Sequence, residues 1–229
     1  MAGLLKIHTP MVKVCCIQTA GEAALAVRCG AGALGFVGPM PSGPGVLGEE
    51  DIMMLAPMVP EGVGSFLLTS ATEVEVIIGQ WKRSGARVVQ LCDMLPIPVL
   101  RELRGRLPDA GLAQVVHVTG RDVLPYARAA SRIADWLLLD SGNPDLPVKE
   151  LGGTGRVHDW AISREIREEA YSPVLLAGGL NPGNIAEAVR TVRPYGVDVC
   201  SGVRTGGRLD EAKLRAFIQA IESECQEWV

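Results

Sequence analysis

Eight times along this 229-residue chain a short apolar run gives way to a stretch whose apolar residues recur three and four apart. The strand-like runs cover residues 11–17, 33–37, 64–68, 87–91, 113–118, 136–140, 173–177 and 197–200. Helical spacing follows each of them, over 21–28, 49–56, 71–84, 98–106, 122–130 and 159–169. The seventh helix is predicted to open at Asn181-Pro182 and run through Ile185, Ala188 and Val189; the last is predicted from Asp210 through Leu214, Phe217, Ile218 and Ile221. Parallel strands need a crossover, and a helix is the usual one. Eight such units of about 25–30 residues match the (β/α)8, or TIM, barrel in number and length. An open doubly wound sheet is the alternative. It needs fewer strands for this length and carries its glycines after the first strand, where this chain has Cys15-Cys16-Ile17-Gln18. The expectation is therefore a single α/β barrel domain over 11–224, with a leader over 1–10 and a frayed tail over 226–229.

Composition narrows the function classes. Hydrophobic residues make up 48% of the chain but aromatics only 4%, so Val, Leu, Ile and Ala must fill the core, as in parallel sheets covered on both faces. A net charge of −4 without any basic block argues against nucleic acid as a partner. The longest apolar runs are too short to span a bilayer, and the N-terminus shows no signal-peptide pattern. The six cysteines, at 15, 16, 29, 92, 200 and 225, show neither metal-ligand spacing nor the density of a disulfide framework. That pattern points to reduced thiols in a cytoplasmic protein. No metal is expected.

In such a barrel the chemistry collects at the C-terminal ends of the strands, and phosphate favours the loops after strands seven and eight. Those loops read Gly178-Gly179-Leu180-Asn181-Pro182-Gly183-Asn184 and Ser201-Gly202-Val203. Glycine-rich turns feeding helical segments offer bare N–H groups to an anion, and two on consecutive strands suggest one shared site. Gly152-Gly153-Thr154-Gly155, in the loop after strand six, is expected to join them. The remaining strand ends supply Lys13, Cys15, Phe36, Leu68, Gln90, Cys92, His117 and Asp140. Asp140 closes an apolar strand, where burial would raise its pKa toward general-acid use; a turn-capping role is the equal alternative. Lys13 and Cys15 share a face of strand one, and an ammonium favours thiolate. Cys16 is expected to face the helices as an inert thiol. Gln90 is a hydrogen-bonding candidate, and His117 is either catalytic or a core histidine.

Several of these segments occur together, and in the same order, in a known family. Lys13-Val14-Cys15, Leu34-Gly35-Phe36-Val37, Gln90-Leu91, Leu138-Leu139-Asp140-Ser141, Gly152-Gly153-Thr154-Gly155 and Asp159-Trp160 resemble phosphoribosylanthranilate isomerase in order and spacing. So do Ala177-Gly178-Gly179-Leu180, Pro182, Asn184, Gly196-Val197-Asp198-Val199 and Ser201-Gly202-Val203. The resemblance implies a cofactor-free enzyme of tryptophan biosynthesis that carries out an Amadori rearrangement of an N-linked phosphoribosyl amine. It implies Asp140 as general acid and Cys15 as general base. It also implies a phosphate held around Gly155, Gly179, Ser201 and Gly202, with Gly178, Lys13 and Gln90 as further substrate contacts; Arg204 is a candidate substitute cation for the aglycone or, equally, a solvated side chain. The chain departs from the pattern at Cys16 and Gln18 (Gly and Thr in the family), at Cys92 and Asp93 (His and Gly) and at Arg204 (Glu). It also has no arginine between Pro41 and Val46, where the family places one near the anthranilate carboxylate. Two other readings stay open: an isomerase for a different phosphoribosyl amine, and a barrel that binds a phosphosugar without catalysis. Oligomeric state is open, a homodimer being one option.

Overall fold

A computed structural model describes residues 9–41, 43–142, 151, 155 and 157–226. Most of the expected leader, the expected Gly152-Gly153-Thr154 contact and residues 227–229 lie outside the described residues. Eight parallel strands follow one another in chain order: β1 (Met11–Val14), β2 (Ala33–Val37), β3 (Gly64–Thr69), β4 (Val88–Leu91), β5 (Gly111–His117), β6 (Trp136–Asp140), β7 (Val174–Leu176) and β8 (Gly196–Val199). β8 pairs back onto β1, which closes the barrel. Around it lie α1 (Ala20–Arg28), α2 (Glu49–Leu55), α3 (Val74–Ser84), α4 (Ile97–Arg106), α5 (Leu124–Ala130), α6 (Trp160–Glu169), α7 (Ile185–Val192) and α8 (Glu211–Gln226). Among the described residues no helix is long and apolar enough to cross a membrane.

Strand alternation divides the core into two. Val14, Leu34, Val89, Leu137, Leu176 and Val199 face outward and pack with helix residues such as Ile77, Leu100, Ile166, Val189 and Phe217. Phe36 belongs to this outer layer, so it is core and does not reach the mouth. Ala33, Leu68, Ala113, Val115, Leu138 and Leu175 fill the barrel interior, with the Phe66 and Trp136 rings tilted at 56° to one another at a centroid distance of 6.0 Å. Each fully buried Leu or Ile contributes about 1.5–3 kcal/mol, so this double core carries the fold and leaves the rim free for chemistry.

Two local expectations are corrected, and one element is added. β1 stops at Val14 because Cys16 takes a left-handed conformation (φ 61), which no strand accommodates. The Cys15 N–H still extends the ladder onto the Val199 carbonyl at 2.9 Å. α7 opens at Ile185, not at Asn181-Pro182, because two side chains fold the preceding residues into a turn. Asn184 Oδ1 accepts the Asn181 N–H at 2.8 Å, and Asn181 Oδ1 accepts the Gly183 N–H at 2.9 Å. Between β8 and α8 the chain makes a 3-10 turn (Ser201–Val203) and a small hairpin of β9 (Arg204–Thr205) and β10 (Arg208–Leu209). Strands of two residues are too short to show a period in sequence.

Candidate active site

The C-terminal mouth of the barrel opens into a cleft of about 680 Å³, part of it open to solvent. Cys15 from the end of β1, Gln90 and Cys92 from β4, Asp140 from β6 and Asp198 from β8 all line it, together with Gly155, Gly178, Gly179 and Ser201. Each of these five side chains occupies an inward position of its strand or the residue just past its end. Alternation alone therefore gathers an acid, a thiol and an amide around one space.

Asp140 is 8% exposed. One carboxyl oxygen is anchored: Oδ1 accepts the Ser141 N–H at 2.7 Å and its hydroxyl at 3.4 Å. The turn-capping role and a place in the cleft are thus combined in one residue. Burial raises its pKa above the ordinary carboxylate value, against the opposing pull of the Ser141 N–H and the His117 ring. A carboxyl shifted this way holds its proton longer, as a general acid needs.

Cys15 stands above a buried charge pair. Lys13 is fully buried, its Nζ 2.9 Å from Asp198 Oδ1 and 5.3 Å from the centre of the Phe66 ring. The pair arises because Lys13 and Asp198 are register partners on adjacent strands and both point inward. Burial works against the ammonium, but Asp198 and the neighbouring thiols outweigh it, so Lys13 is held above its ordinary value. Burial likewise pushes the Asp198 carboxyl up, against the pull of Lys13. The expected substrate contact by Lys13 is corrected: its fully buried ammonium is not among the described residues lining the cleft and pairs with Asp198 beneath it. Breaking such a buried pair typically costs about 3–5 kcal/mol, because one charge is left uncompensated.

On β4, the Gln90 amide donates to Cys92 Sγ at 3.8 Å, and its buried Oε1 has no partner among the described residues. A buried acceptor lining a cleft is placed to take a donor from whatever enters. Burial pushes the Cys92 thiol up, so it stays protonated. His117 is 1% exposed and does not line the cleft; its Nε2–H is assigned to the Cys92 carbonyl at 2.9 Å, so it is a core histidine beside Asp140.

The two glycine-bearing turns form one surface. A Cβ on Gly202 would lie 1.9 Å from the Leu180 carbonyl oxygen and 2.9 Å from Asn181 Cα, so the turn after β8 touches the backbone of the turn after β7. Gly178 and Gly179 are both left-handed, and the amides of Asn181 and Asn184 hold the Gly179 carbonyl at 3.2 and 3.0 Å. His158, which the sequence reading passed over, lies behind Gly178 and bonds Ser163 Oγ through Nε2 at 2.6 Å.

Arg204 is a second correction. It lies outside the main cleft, where its guanidinium binds Glu22 Oε1 at 2.8 Å and the carbonyls of Cys15 and Cys16 at 3.3 and 2.5 Å. It braces the turn after β1 and does not reach the cleft. Cys16 is the third: its left-handed backbone turns it from the helices into the cleft wall, with its Sγ 3.7 Å from Cys15 Sγ. Asp198 is a cleft-lining residue that sequence reading did not single out. A lone acid inside the apolar run Gly196-Val197-Asp198-Val199 was the available signal.

Residues 12–220 match a family model described as N-(5'-phosphoribosyl)anthranilate (PRA) isomerase. A relative from Methanosarcina mazei, N-(5'-phosphoribosyl)anthranilate isomerase 2, is 34% identical over 93% of this chain and 94% of its own length. One from Halobacterium salinarum, called N-(5'-phosphoribosyl)anthranilate isomerase, is 35% identical over 90% and 93%. Among solved structures, the phosphoribosyl anthranilate isomerase from Thermotoga maritima superimposes with a TM-score of 0.80 at 28% identity, covering 93% of this chain and 99% of that one. A second isomerase structure, in complex with reduced 1-(o-carboxyphenylamino)-1-deoxyribulose 5-phosphate, gives a TM-score of 0.77 at 26% identity over 93% and 99%.

Proposed function

The chain belongs to the N-(5'-phosphoribosyl)anthranilate isomerase family, and we propose that it carries out that family's Amadori rearrangement with Asp140 as general acid and Cys15 as general base. It is an isomerase of tryptophan biosynthesis. The roles assigned to its residues are our reading of the cleft. The single observation that carries them is the presence of a buried, proton-retaining carboxyl and a thiol at one mouth. Beside them the packed turns after β7 and β8 provide a seat for phosphate.

In this reading backbone N–H groups around Gly155, Gly179, Ser201 and Gly202 hold the phosphate of N-(5-phosphoribosyl)anthranilate. That anchor uses binding energy remote from the reacting atoms to orient the sugar. Asp140 donates its proton to the ribose ring oxygen as the C1′–O bond breaks, leaving an iminium at C1′. Cys15, above the Lys13 ammonium, removes the C2′ proton as base, and the electrons of that bond form an enolamine. Tautomerisation then gives the 1-amino-1-deoxyribulose phosphate. Gln90 Oε1 supplies an acceptor for a sugar hydroxyl or the bridging amine.

The test is turnover by the purified chain. N-(5-phosphoribosyl)anthranilate should be consumed, with the deoxyribulose product identified by chromatography and mass, and the gene should restore growth to a tryptophan auxotroph lacking this isomerase. A folded chain that does neither overturns the reading. One observation favours a second: among the described residues lining the cleft there is no Lys or Arg to clamp an aromatic carboxylate. Faster turnover of a phosphoribosyl amine without that carboxylate would establish it.

A further inference from the structure

Two thiols with no part in these proton transfers stand in the wall between the active-site cleft and a second cleft of about 510 Å³ beside it. Cys16 and Cys200 line both spaces, and Gln18, Pro44, Arg204 and Gly207 help to form the outer one. They meet because β1 and β8 are neighbours, paired through Val14 and Val199. In that register Cys15 stands opposite Cys200 and Cys16 lies one residue further along, in the turn, against the same seam; a disulfide spans Cα separations of about 4.4–6.8 Å. The left-handed backbone at Cys16 turns its sulfur toward this seam, where it bonds Cys15 Sγ at 3.7 Å and also engages Cys200. The loop after β2 makes room for it: a Cβ on Gly45 would lie 2.6 Å from the Cβ of Cys16.

The two sulfurs are not equivalent. Bonds to Cys15 and Cys200 and burial all hold Cys16 protonated. Cys200 is half-buried and shifted the other way, first by the bond from Cys16 and then by Arg204, with burial opposing. The Arg204 side chain is 7% exposed, and its Nε has no hydrogen-bond partner among the described residues. A cation with a spare donor beside a reachable sulfur is the setting in which thiolates react.

We propose that Cys16 and Cys200 are a peroxide-sensitive pair whose disulfide shuts off the isomerase. The Cys200 thiolate attacks the O–O bond of a hydroperoxide; an S–O bond forms, O–O breaks, and hydroxide or alkoxide leaves. The Cys16 sulfur then displaces hydroxide from the Cys200 sulfenic acid, forming S–S and breaking S–O, and its proton leaves with the hydroxide as water. Two electrons pass from the thiols to the peroxide. The link draws the turn after β1 against Ser201 and Gly202 and removes the Cys16 thiol from Cys15. Its effect on turnover rests on the function proposed above; its formation does not.

The full chain is treated with hydrogen peroxide, digested with trypsin without reductant and analysed by mass spectrometry. The expected product joins the peptides spanning 14–28 and 191–204, with fragmentation placing the bond at Cys16. Wild-type turnover should fall about tenfold or more and return with dithiothreitol, as for a reversible thiol modification. Cys16→Gly, which suits the left-handed backbone, and Cys200→Ser should each retain their own untreated rates. Oxidation without a 16–200 link, a link from Cys15 instead, or loss of activity by Cys16→Gly as fast as wild type overturns the proposal. A chain that forms the link yet never turns over substrate overturns the function reading and leaves the link in place.

Discussion

The two sides of the mouth solve the same backbone problem differently. After β7 the chain turns through two left-handed glycines, Gly178 and Gly179, and in the turn after β8 Gly202 lies against the Leu180 carbonyl with no room for even a methyl group. After β1 the chain also turns through a left-handed residue, but that residue is Cys16, with a side chain placed in the cleft wall. The difference is what lies opposite. Backbone pressed on backbone admits one residue type, whereas an unusual dihedral whose side chain has room, here left by Gly45, only disfavours the others. The first side is therefore a fixed amide surface suited to an anion. The second has room for chemistry of its own, a thiol cluster braced by Arg204 and Glu22.

The largest effect expected concerns the residues that span the two sides. We predict that Cys15→Ala and Asp140→Asn each lower kcat by about 10²–10⁴-fold while the chain stays folded, measured by steady-state kinetics and thermal unfolding. Wild-type rates in either variant would remove the acid–base pair from the cleft. Because the folded-state pKa of Asp140 is raised, its contribution to stability is full below the ordinary value of 3.8 and is lost as pH rises through the raised value. The Asn variant should therefore gain on wild type as pH increases above 3.8 in denaturant titrations.

Gly202→Ala should come next, destabilising by at or above about 1–3 kcal/mol and raising KM more than it lowers kcat, because it separates the two turns. A variant with unchanged KM would mean the turns after β7 and β8 do not form a common anion seat. A smaller effect lies behind Gly178. Burial lowers the pKa of His158 from 6.5 to about 4, so its contribution is full above 6.5 and falls as pH drops toward 4. His158→Gln should lose that slope, worth about 3 kcal/mol between the two limits. Equal acid sensitivity in variant and wild type would show that the histidine is not held neutral. The smallest change is expected at Cys16→Gly, within about 1 kcal/mol, since relief of left-handed strain offsets the entropy of glycine. If that substitution destabilised as much as Gly202→Ala, the contrast between the two sides would be gone.

Much of this was legible in the chain before any coordinates. The alternation of apolar strands with amphipathic helices gave all eight strand–helix units, and strand alternation brought Cys15, Gln90 and Asp140 to one rim. Where reading failed, local signals competed with tertiary ones. Asn181 and Asn184 spend their amides on a turn and delay α7 to Ile185, while the helical spacing of apolar residues says nothing about caps. Lys13 read as a cleft residue because periodicity gives a face but not a depth. Its partner Asp198 lies 185 positions away in sequence, as the register pair Lys13 and Asp198 makes plain (198 minus 13).

What the sequence by itself determined was the architecture and the kind of groups at its mouth, because both follow from periods of 2 and about 3.6 and from glycines at strand ends. What only the tertiary structure decided was which groups face one another: Lys13 beneath Cys15, Arg204 bound to Glu22 instead of the cleft, and Cys16 beside Cys200. Closure of the barrel between β1 and β8 brings those residues together, and a single left-handed dihedral at Cys16 then redirects a side chain that strand alternation had assigned to the helices.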